Sequence, residues 1–279
     1  MRRKVFVYMT LSAVALLIVS AAAFAQGDNA RYSLNCNDQG RGNDSRAHHC
    51  EVKEQTIQAT ALNVDGRTNG GISIKGWERN ETLVRYRIQS YAQTQAEADS
   101  LASQIQVTTA GGQIRAEGPQ QENRADRDSA NWSVSYEIFV PHQSDLSLRT
   151  HNGGISISDV RGRISFDALN GGVSLKRLGG NVTGQTVNGG LSVELTGSNW
   201  EGEGLNVKTT NGGLSLSVPD NYSAHLETGT VNGSISVNPS IAQIERGAKE
   251  LSLNLGTGGT NLRIYTTNGG VSIKRSEMR

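Results

Sequence analysis

A short motif, Asn-Gly-Gly (once Asn-Gly-Ser) followed by apolar-Ser-apolar, occurs seven times in this 279-residue chain. The copies begin at Asn69, Asn152, Asn170, Asn188, Asn211, Asn232 and Asn268. Their successive spacings are 83, 18, 18, 23, 21 and 36 residues, so the stretch from Asn152 to Asn232 is an array of short units. A repeat of this length predicts stacked units that share one core.

Apolar residues alternate on both sides of the motif. In four units an apolar pair stands six and four residues before the Asn, as Leu146 and Leu148 do before Asn152. After the glycines, apolar residues resume at offsets three and five, and a serine stands between them in all seven copies. Alternation of this kind indicates one buried strand face. Each unit therefore reads as strand, Asn-Gly-Gly corner, strand, and we expect the corner to use the positive φ angles that Asn and Gly tolerate.

One unit buries too few side chains to offset the entropy of ordering its backbone, so the units must stack. The fold class predicted is all-β, a β-solenoid whose asparagines could form an amide ladder at one corner. The alternative is a series of β-hairpins with Asn-Gly turns that form a sandwich. The final gap holds a degraded copy, Leu251 to Gly259, that keeps the alternation but lacks the Asn.

The segment between the first motif and the array differs from the repeats. We predict a strand at 83–88, a short helix at 94–104 and a hairpin through Ala110-Gly111-Gly112. The clearest alternating strand runs from Trp132 to Val140 and ends at Pro141, and 117–131 is predicted to be a flexible loop. This segment would cap the open end of the stack, where exposed strand edges favour aggregation.

Residues 1–25 have the pattern of a secretory signal peptide. Three basic residues precede an apolar run at 5–19, and Ala23-Phe24-Ala25 fits a cleavage site. The alternative is an uncleaved membrane anchor, for which the run is short. The expected domains are the signal at 1–25, a polar leader at 26–51, the β-rich cap at 52–141 and the repeats at 142–275. The expected localisation is exported, periplasmic or at the cell surface, with no transmembrane segment in the mature chain.

Charge argues against nucleic acid as a partner. Without residues 1–25 the chain has 24 Lys and Arg against 26 Asp and Glu, a net charge of −2. Basic stripes and regularly spaced aromatic platforms are absent from the sequence.

The two cysteines, Cys36 and Cys50, are predicted to form a disulfide, because an exported protein matures in an oxidising compartment. His48 and His49 beside Cys50 raise a zinc site as the alternative, although the histidine spacing does not fit the usual zinc pattern. We predict no metal and no cofactor.

The chain resembles the bacterial putative-adhesin domain of unknown function, a β-strand repeat family. The resemblance rests on the stretch Arg67 to Trp77, the short helix, the strand ending Phe139-Val140-Pro141 and the serial Thr-x-Asn-Gly-Gly units, and it covers about residues 52–275. It implies a β-solenoid-like protein of the cell envelope and supplies no catalytic residues. The cysteine-bearing leader and the irregular spacing after Asn232 depart from the pattern.

The serine column is the candidate binding surface. It comprises Ser73, Ser156, Ser174, Ser192, Ser215, Ser236 and Ser272. These small residues would face outward on a flat sheet and admit a neighbouring chain or a glycan, or else they are plain strand surface. Trp200, in the loop Gly197 to Gly202, is expected to be exposed for sugar stacking, the alternative being a ring folded over the edge of the coil.

No catalytic residue is predicted. Asp159, Asp167, Glu194 and Asp220 fall at different offsets within their units, and His142, His151 and His225 have no partner at motif spacing. The function expected is a non-enzymatic, exported envelope protein that binds a glycan or protein or has a structural role. The alternative is a carbohydrate-active enzyme on a β-helix, a polysaccharide lyase or hydrolase, which would need clustered carboxylates.

Overall fold

The computed structural model describes residues 33–36, 46–120, 130–245 and 247–276. Leu34–Arg279 forms one compact unit. The predicted signal peptide and most of the predicted loop at 117–131 lie outside the described residues. The fold is mostly β, with two ten-stranded and largely parallel sheets, one α-helix and one 3-10 turn at Ala110–Gly112 in the described part.

The first sheet, called sheet A, contains the strands that follow the corners. Its spatial order is β1 (Ala47–Ile57), β4 (Thr82–Ala92), β7 (Asn131–Pro141), β3 (Ile72–Trp77), β9 (Ile155–Ser158), β11 (Val173–Lys176), β13 (Leu191–Glu194), β15 (Leu214–Val218), β20 (Val271–Arg275) and β17 (Ile235–Val237).

The second sheet, called sheet B, contains the strands that precede the corners. Its spatial order is β18 (Glu250–Leu255), β16 (Ala224–Asn232), β19 (Asn261–Asn268), β14 (Gly204–Asn211), β12 (Gly179–Asn188), β10 (Arg161–Asn170), β8 (Asp145–Asn152), β2 (Ala61–Asp65), β6 (Gln113–Glu117) and β5 (Gln106–Thr108). Each motif therefore joins one strand of sheet B to one strand of sheet A.

Neighbouring units pair in parallel with equivalent residues opposite each other. Asn170 lies opposite Asn152 and Asn188, and Ser174 lies opposite Ser156 and Ser192. The asparagine side chains form the predicted ladder across all seven units, with Nδ2 of one residue donating to Oδ1 of the next at 2.7–3.1 Å. The layer-over-layer register predicted from the repeat is confirmed.

Glycine is required at the corner for a different reason from the one we expected. Among the described residues, no Asn or Gly of the seven motifs has positive φ, so that expectation is wrong. The first glycine of each unit instead packs directly on the backbone of the adjacent layer. A Cβ added to Gly189 would lie 2.1 Å from the carbonyl oxygen of Gly171, which leaves no space for any side chain.

In five of the seven units, a buried threonine two residues before the asparagine ties the corner to that of an adjacent layer. Thr186 Oγ1 donates to the carbonyl oxygen of Gly171 at 2.8 Å, and the same bond recurs from Thr150, Thr209, Thr230 and Thr266. The units of Asn170 and Asn69 have Ala168 and Arg67 at this position and lack the hydroxyl. These bonds satisfy carbonyl groups that would otherwise be buried without a donor.

The core lies between the two sheets and continues through all layers. Most of the predicted apolar positions are buried, including Leu146, Leu148, Ile155 and Ile157, whereas Ile235 and Val237 near the end of the stack are partly buried. Gly184 is an exception at an apolar position, and the ring of Phe166 in the adjacent layer fills its place, since a Cβ there would lie 2.4 Å from the ring. Large and small residues thus compensate across layers, as close packing requires.

The order of the last layers differs from the order in the chain. Strands β19 and β20 of the Asn268 unit lie between the Asn211 unit and the Asn232 unit. The degraded copy forms β18, which runs antiparallel to β16 at the edge of sheet B. The glycine-rich loop after β18 then passes the start of β16, where the Thr257 N–H donates to Ser223 Oγ at 3.3 Å. The last repeat is therefore inserted into the stack, not added to its end.

The cap contains the elements predicted for it. Strands β4 and β7 pair antiparallel, and β5 pairs with β6 in a hairpin. Helix α1 (Gln95–Ser103) begins with a capping box in which Thr94 and Glu97 bond each other's backbone N–H groups, and it buries Ala98 and Ala102. Strand β1 crosses the predicted boundary between leader and cap at residue 52 and pairs with β4 over its whole length.

Candidate functional site

The serines of the repeat form a continuous column on the outer face of sheet A. Each lies between two inward-facing apolar residues of its strand and faces away from the core. The spatial order is Ser73, Ser156, Ser174, Ser192, Ser215, Ser272 and Ser236, each opposite the next. The outward direction predicted for the column is confirmed.

A shallow groove of about 680 Å³ runs along this column. Its floor is formed by the second glycine and the serine of five successive layers, which are Gly71, Gly154, Gly172, Gly190, Gly213, Ser73, Ser156, Ser174, Ser192 and Ser215. The groove exists because these two columns carry almost no side-chain volume. The second glycines have room for a side chain, since a Cβ on Gly190 would lie 3.5 Å from its nearest neighbour.

A buried ion-pair cluster lies at the cap end of the column. Glu137 of β7 stands opposite Ser73, and its side chain is 1% exposed. Its carboxylate accepts from Lys75 Nζ at 2.8 Å, from Arg85 Nη1 at 2.6 Å and from the backbone N–H of Leu34 at 3.2 Å. A buried carboxylate needs such partners, because an unpaired charge in this position would be strongly destabilising.

The disulfide between Cys36 and Cys50 is confirmed, with a Cα–Cα distance of 5.8 Å. It fixes the segment that contains Leu34 to strand β1. The histidines of the zinc alternative have other contacts: the His48 ring stacks on Tyr91 at 4.6 Å, and His49 Nδ1 lies 2.8 Å from Asp99 Oδ1. Both thiols are used in the disulfide, so this group cannot supply thiolate ligands.

The prediction that Trp200 is exposed is wrong. Its side chain is 4% exposed, and its indole N–H donates to the carbonyl oxygen of Gly180 at 3.0 Å. The spacing from Asn188 to Asn211, which contains Trp200, is five residues longer than the preceding one, and the extra loop folds the ring over the edge of the adjacent layer. Burial of the large apolar ring with its N–H satisfied explains this placement, and it removes Trp200 from the binding surface.

Three of the four scattered carboxylates, those of Asp159, Glu194 and Asp220, are paired with arginines of neighbouring layers. Arg177 binds both oxygens of Asp159, at 2.6 and 2.7 Å, and Glu194 Oε1 lies 3.3 Å from its Nη1. Asp220 lies 3.5 Å from Arg275. The Arg177 guanidinium lowers the pKa of Asp159 below its usual range. These groups therefore act as ionised partners between layers.

Sequence spacing did not reveal the contacts of His225. Its Nδ1 lies 2.7 Å from Asn254 Oδ1, and its Nε2 lies 3.3 Å from Ser252 Oγ. The residues are brought together only because β18 folds back onto β16. A serine beside a histidine would need an oxyanion hole of free N–H donors to act in catalysis. Strand β16 lies between β18 and β19, so its backbone N–H groups are used within the sheet and cannot supply one.

No family model and no curated protein matches the chain. Solved structures that it resembles include a putative cell adhesion protein from Clostridium sporogenes, with a TM-score of 0.40 and 14% identity, covering 81% of this chain and 100% of that one. Another is a putative adhesin from Bacteroides fragilis, with a TM-score of 0.30 and 12% identity over 81% and 97% of the two chains. A putative lipid binding protein from Parabacteroides distasonis has a TM-score of 0.29 and 11% identity over the same shares.

The described part of the chain has no helix that is both long and apolar enough to span a membrane.

Proposed function

We propose that this chain is a non-enzymatic, exported protein of the cell envelope that binds a glycan or protein partner on a rigid β-solenoid surface. The observation that carries the proposal is the groove over the glycine and serine columns of sheet A. The contacts beneath the groove are regular, because successive layers repeat the same strand, corner and strand in register. Repeats of this kind present extended binding surfaces in other solenoid proteins.

The rigidity of the surface has a specific physical basis. The asparagine ladder, the threonine bonds and the backbone contact at the first glycine connect each layer to the next. A surface that is already ordered loses little conformational entropy when a partner binds. The Cys36–Cys50 disulfide supports a location outside the reducing cytoplasm.

The alternative function, a carbohydrate-active enzyme, needs an acid and a base that face one another across a substrate. The carboxylates of Asp159, Glu194 and Asp220 instead form ion pairs with Arg177 and Arg275. Turnover of an acidic polysaccharide that is lost on substitution of a single acid would favour the enzyme.

The proposal is tested by retention of the purified protein on washed envelopes of its own bacterium. Ser174→Arg places a long charged side chain in the middle of the groove. Thr183→Arg makes the same change at an exposed position on the outer face of sheet B and serves as the matched control. We expect Ser174→Arg to abolish retention and Thr183→Arg to keep it. Equal retention of both variants, or no retention of the unsubstituted protein, would contradict the proposal.

A further inference from the structure

The outer face of sheet B carries a second, more polar cleft near the cap. It has a volume of about 830 Å³, within the range of about 300–1,000 Å³ typical of ligand sites. A groove of about 410 Å³ adjoins it and shares Asp65, Arg149 and Asp167 with it. The two together form an elongated polar depression that crosses β2, β8 and β10, on the face opposite to the serine column.

Arg149 lines both parts of this depression. The register places it opposite Asp65 of β2 and Asp167 of β10, yet within the described residues its guanidinium forms no ion pair with either. Elsewhere on this sheet, Arg263 lies opposite Glu227 of the adjacent strand, and its guanidinium donates to both carboxylate oxygens, at 2.8 and 3.4 Å. The charged group of Arg149 is therefore available to a ligand.

A second arginine of the cleft, Arg67, is held by its backbone. Its φ is +55°, a conformation that L residues rarely adopt. Its N–H donates to Asp65 Oδ1 at 2.8 Å, and its carbonyl oxygen accepts from the N–H of His151 at 3.0 Å. Its guanidinium also forms no ion pair within the described part of the chain. A strained residue that is fixed at the rim of a cleft is typical of a functional position.

One wall of the cleft is fixed by Trp132. The indole N–H donates to the carbonyl oxygen of Pro119 at 2.9 Å, and Gly118 packs so closely on the ring that a Cβ there would lie 2.9 Å from it. The floor of the cleft adds the carboxylate of Asp167 and the amide of Gln185. The Gln185 Nε2 donates to Asp167 Oδ1 at 3.3 Å. The cleft thus combines two arginines with carboxylate and amide groups.

We propose that this cleft binds an extended oligosaccharide that carries carboxylate groups, such as a chain of uronic acids. Two arginines suit carboxylates, to which guanidinium groups can donate two parallel hydrogen bonds. Asp65, Asp167 and Gln185 suit sugar hydroxyls, which donate as well as accept. A simple anion would gain nothing from the two acids, and a neutral sugar would leave both arginines without a role. This inference rests on the function proposed above in one respect only, that the natural ligand is a glycan of the cell envelope.

Isothermal titration of the purified protein with an oligogalacturonate tests the inference directly. The matched probe is the same oligosaccharide with its carboxylates methyl-esterified, which keeps the hydroxyls and removes the charge. We expect Arg149→Gln to weaken binding of the acidic probe at least tenfold, since a charged hydrogen bond is lost. Arg67→Asn, which tolerates the same backbone conformation, should have an effect of similar size. Binding should also weaken as salt is raised.

Lys208→Gln is the control variant. Lys208 occupies the position equivalent to Arg149 in the Asn211 unit, so its substitution removes one positive charge from the same face outside the cleft. Lys208→Gln should leave the affinity for the acidic probe within a factor of two of that of the unsubstituted protein. Equal binding of the esterified probe, no binding of either probe, or an equal loss in Lys208→Gln and Arg149→Gln would overturn the inference. Because purified sugars are used, this result is independent of whether Ser174→Arg affects envelope retention.

Discussion

The two glycines of one corner should respond very differently to alanine. Gly189→Ala would place a Cβ 2.1 Å from the carbonyl oxygen and 2.5 Å from the carbonyl carbon of Gly171. Carbon and oxygen atoms approach to about 3.3 Å at closest in ordinary contacts, so the two layers would have to separate locally by about 1 Å. In Gly190→Ala the nearest atom is 3.5 Å away, which is normal contact. Each substitution adds one methyl group, and the two glycines are neighbours in the chain.

The magnitude follows from the bonds that cross this layer boundary. The N–H of Gly171 donates to the carbonyl oxygen of Asn188 at 3.0 Å, and the amide ladder and the Thr186 hydroxyl add bonds of 2.8 Å. Losing two or three bonds of about 1 kcal/mol each, with about 1–3 kcal/mol of overpacking strain, lowers the free energy of unfolding by about 4 kcal/mol. For a domain of this size that corresponds to a fall in Tm of about 8–16 °C.

Gly190→Ala should change Tm by no more than a few degrees, because the alanine reduces the entropy of the unfolded chain and meets no clash. One unit of the chain already has a side chain at the second position: the Asn232 unit has glycine at the first position, Gly233, and serine at the second, Ser234. The assay is thermal unfolding followed by circular dichroism, at one scan rate and with a rescan to check reversibility. Equal shifts in the two variants, or an unchanged Tm in Gly189→Ala, would refute the close-contact explanation.

Three further substitutions test the interior and the charges. Ala168→Thr should restore the missing hydroxyl bond to the carbonyl oxygen of Gly153 and raise Tm by about 2–4 °C; a lower Tm would show that the hydroxyl does not fit. Burial raises the pKa of Tyr136, and its hydroxyl has no hydrogen-bond partner in the described structure, so Tyr136→Phe should stabilise by about 1 kcal/mol in urea unfolding. Because Arg177 lowers the pKa of Asp159, this pair stabilises the protein above about pH 4, the ordinary Asp range, and the stabilisation is lost as pH falls through the lowered pKa. Asp159→Asn should therefore reduce the loss of stability between about pH 6 and pH 3, and an unchanged acid profile would contradict this.

Local sequence patterns predicted much of the fold. The alternation on either side of Asn152 predicted two strands, and the recurrence of serine at one offset predicted a column that faces outward. The short helix predicted at 94–104 and the alternating strand ending at Pro141 were equally local signals. Each depends on residues that are close in the chain, so the sequence contains the information directly.

The candidate sites were harder to predict. The exposure of Trp200 was misjudged because a longer loop gave no indication of which way its ring would fold. The cleft around Arg149 was missed because its residues come from the Asn69, Asn152, Asn170 and Asn188 units and from the cap, so only stacking brings them together. The glycines of the corner were recognised, but the reason for them was wrong: the constraint is the backbone of the next layer, not the local φ.

By itself, the sequence determined that this chain forms short strands joined by Asn-Gly-Gly corners, with one buried and one exposed face. Only the tertiary structure decided the order of the layers. Every unit offers the same hydrogen-bonding edge and the same alternation of side chains, so the sequence does not distinguish which edge the returning strand β19 will join. The antiparallel turn of β18 places β19 between β14 and β16, and that long-range pairing, absent from any local pattern, sets the final arrangement.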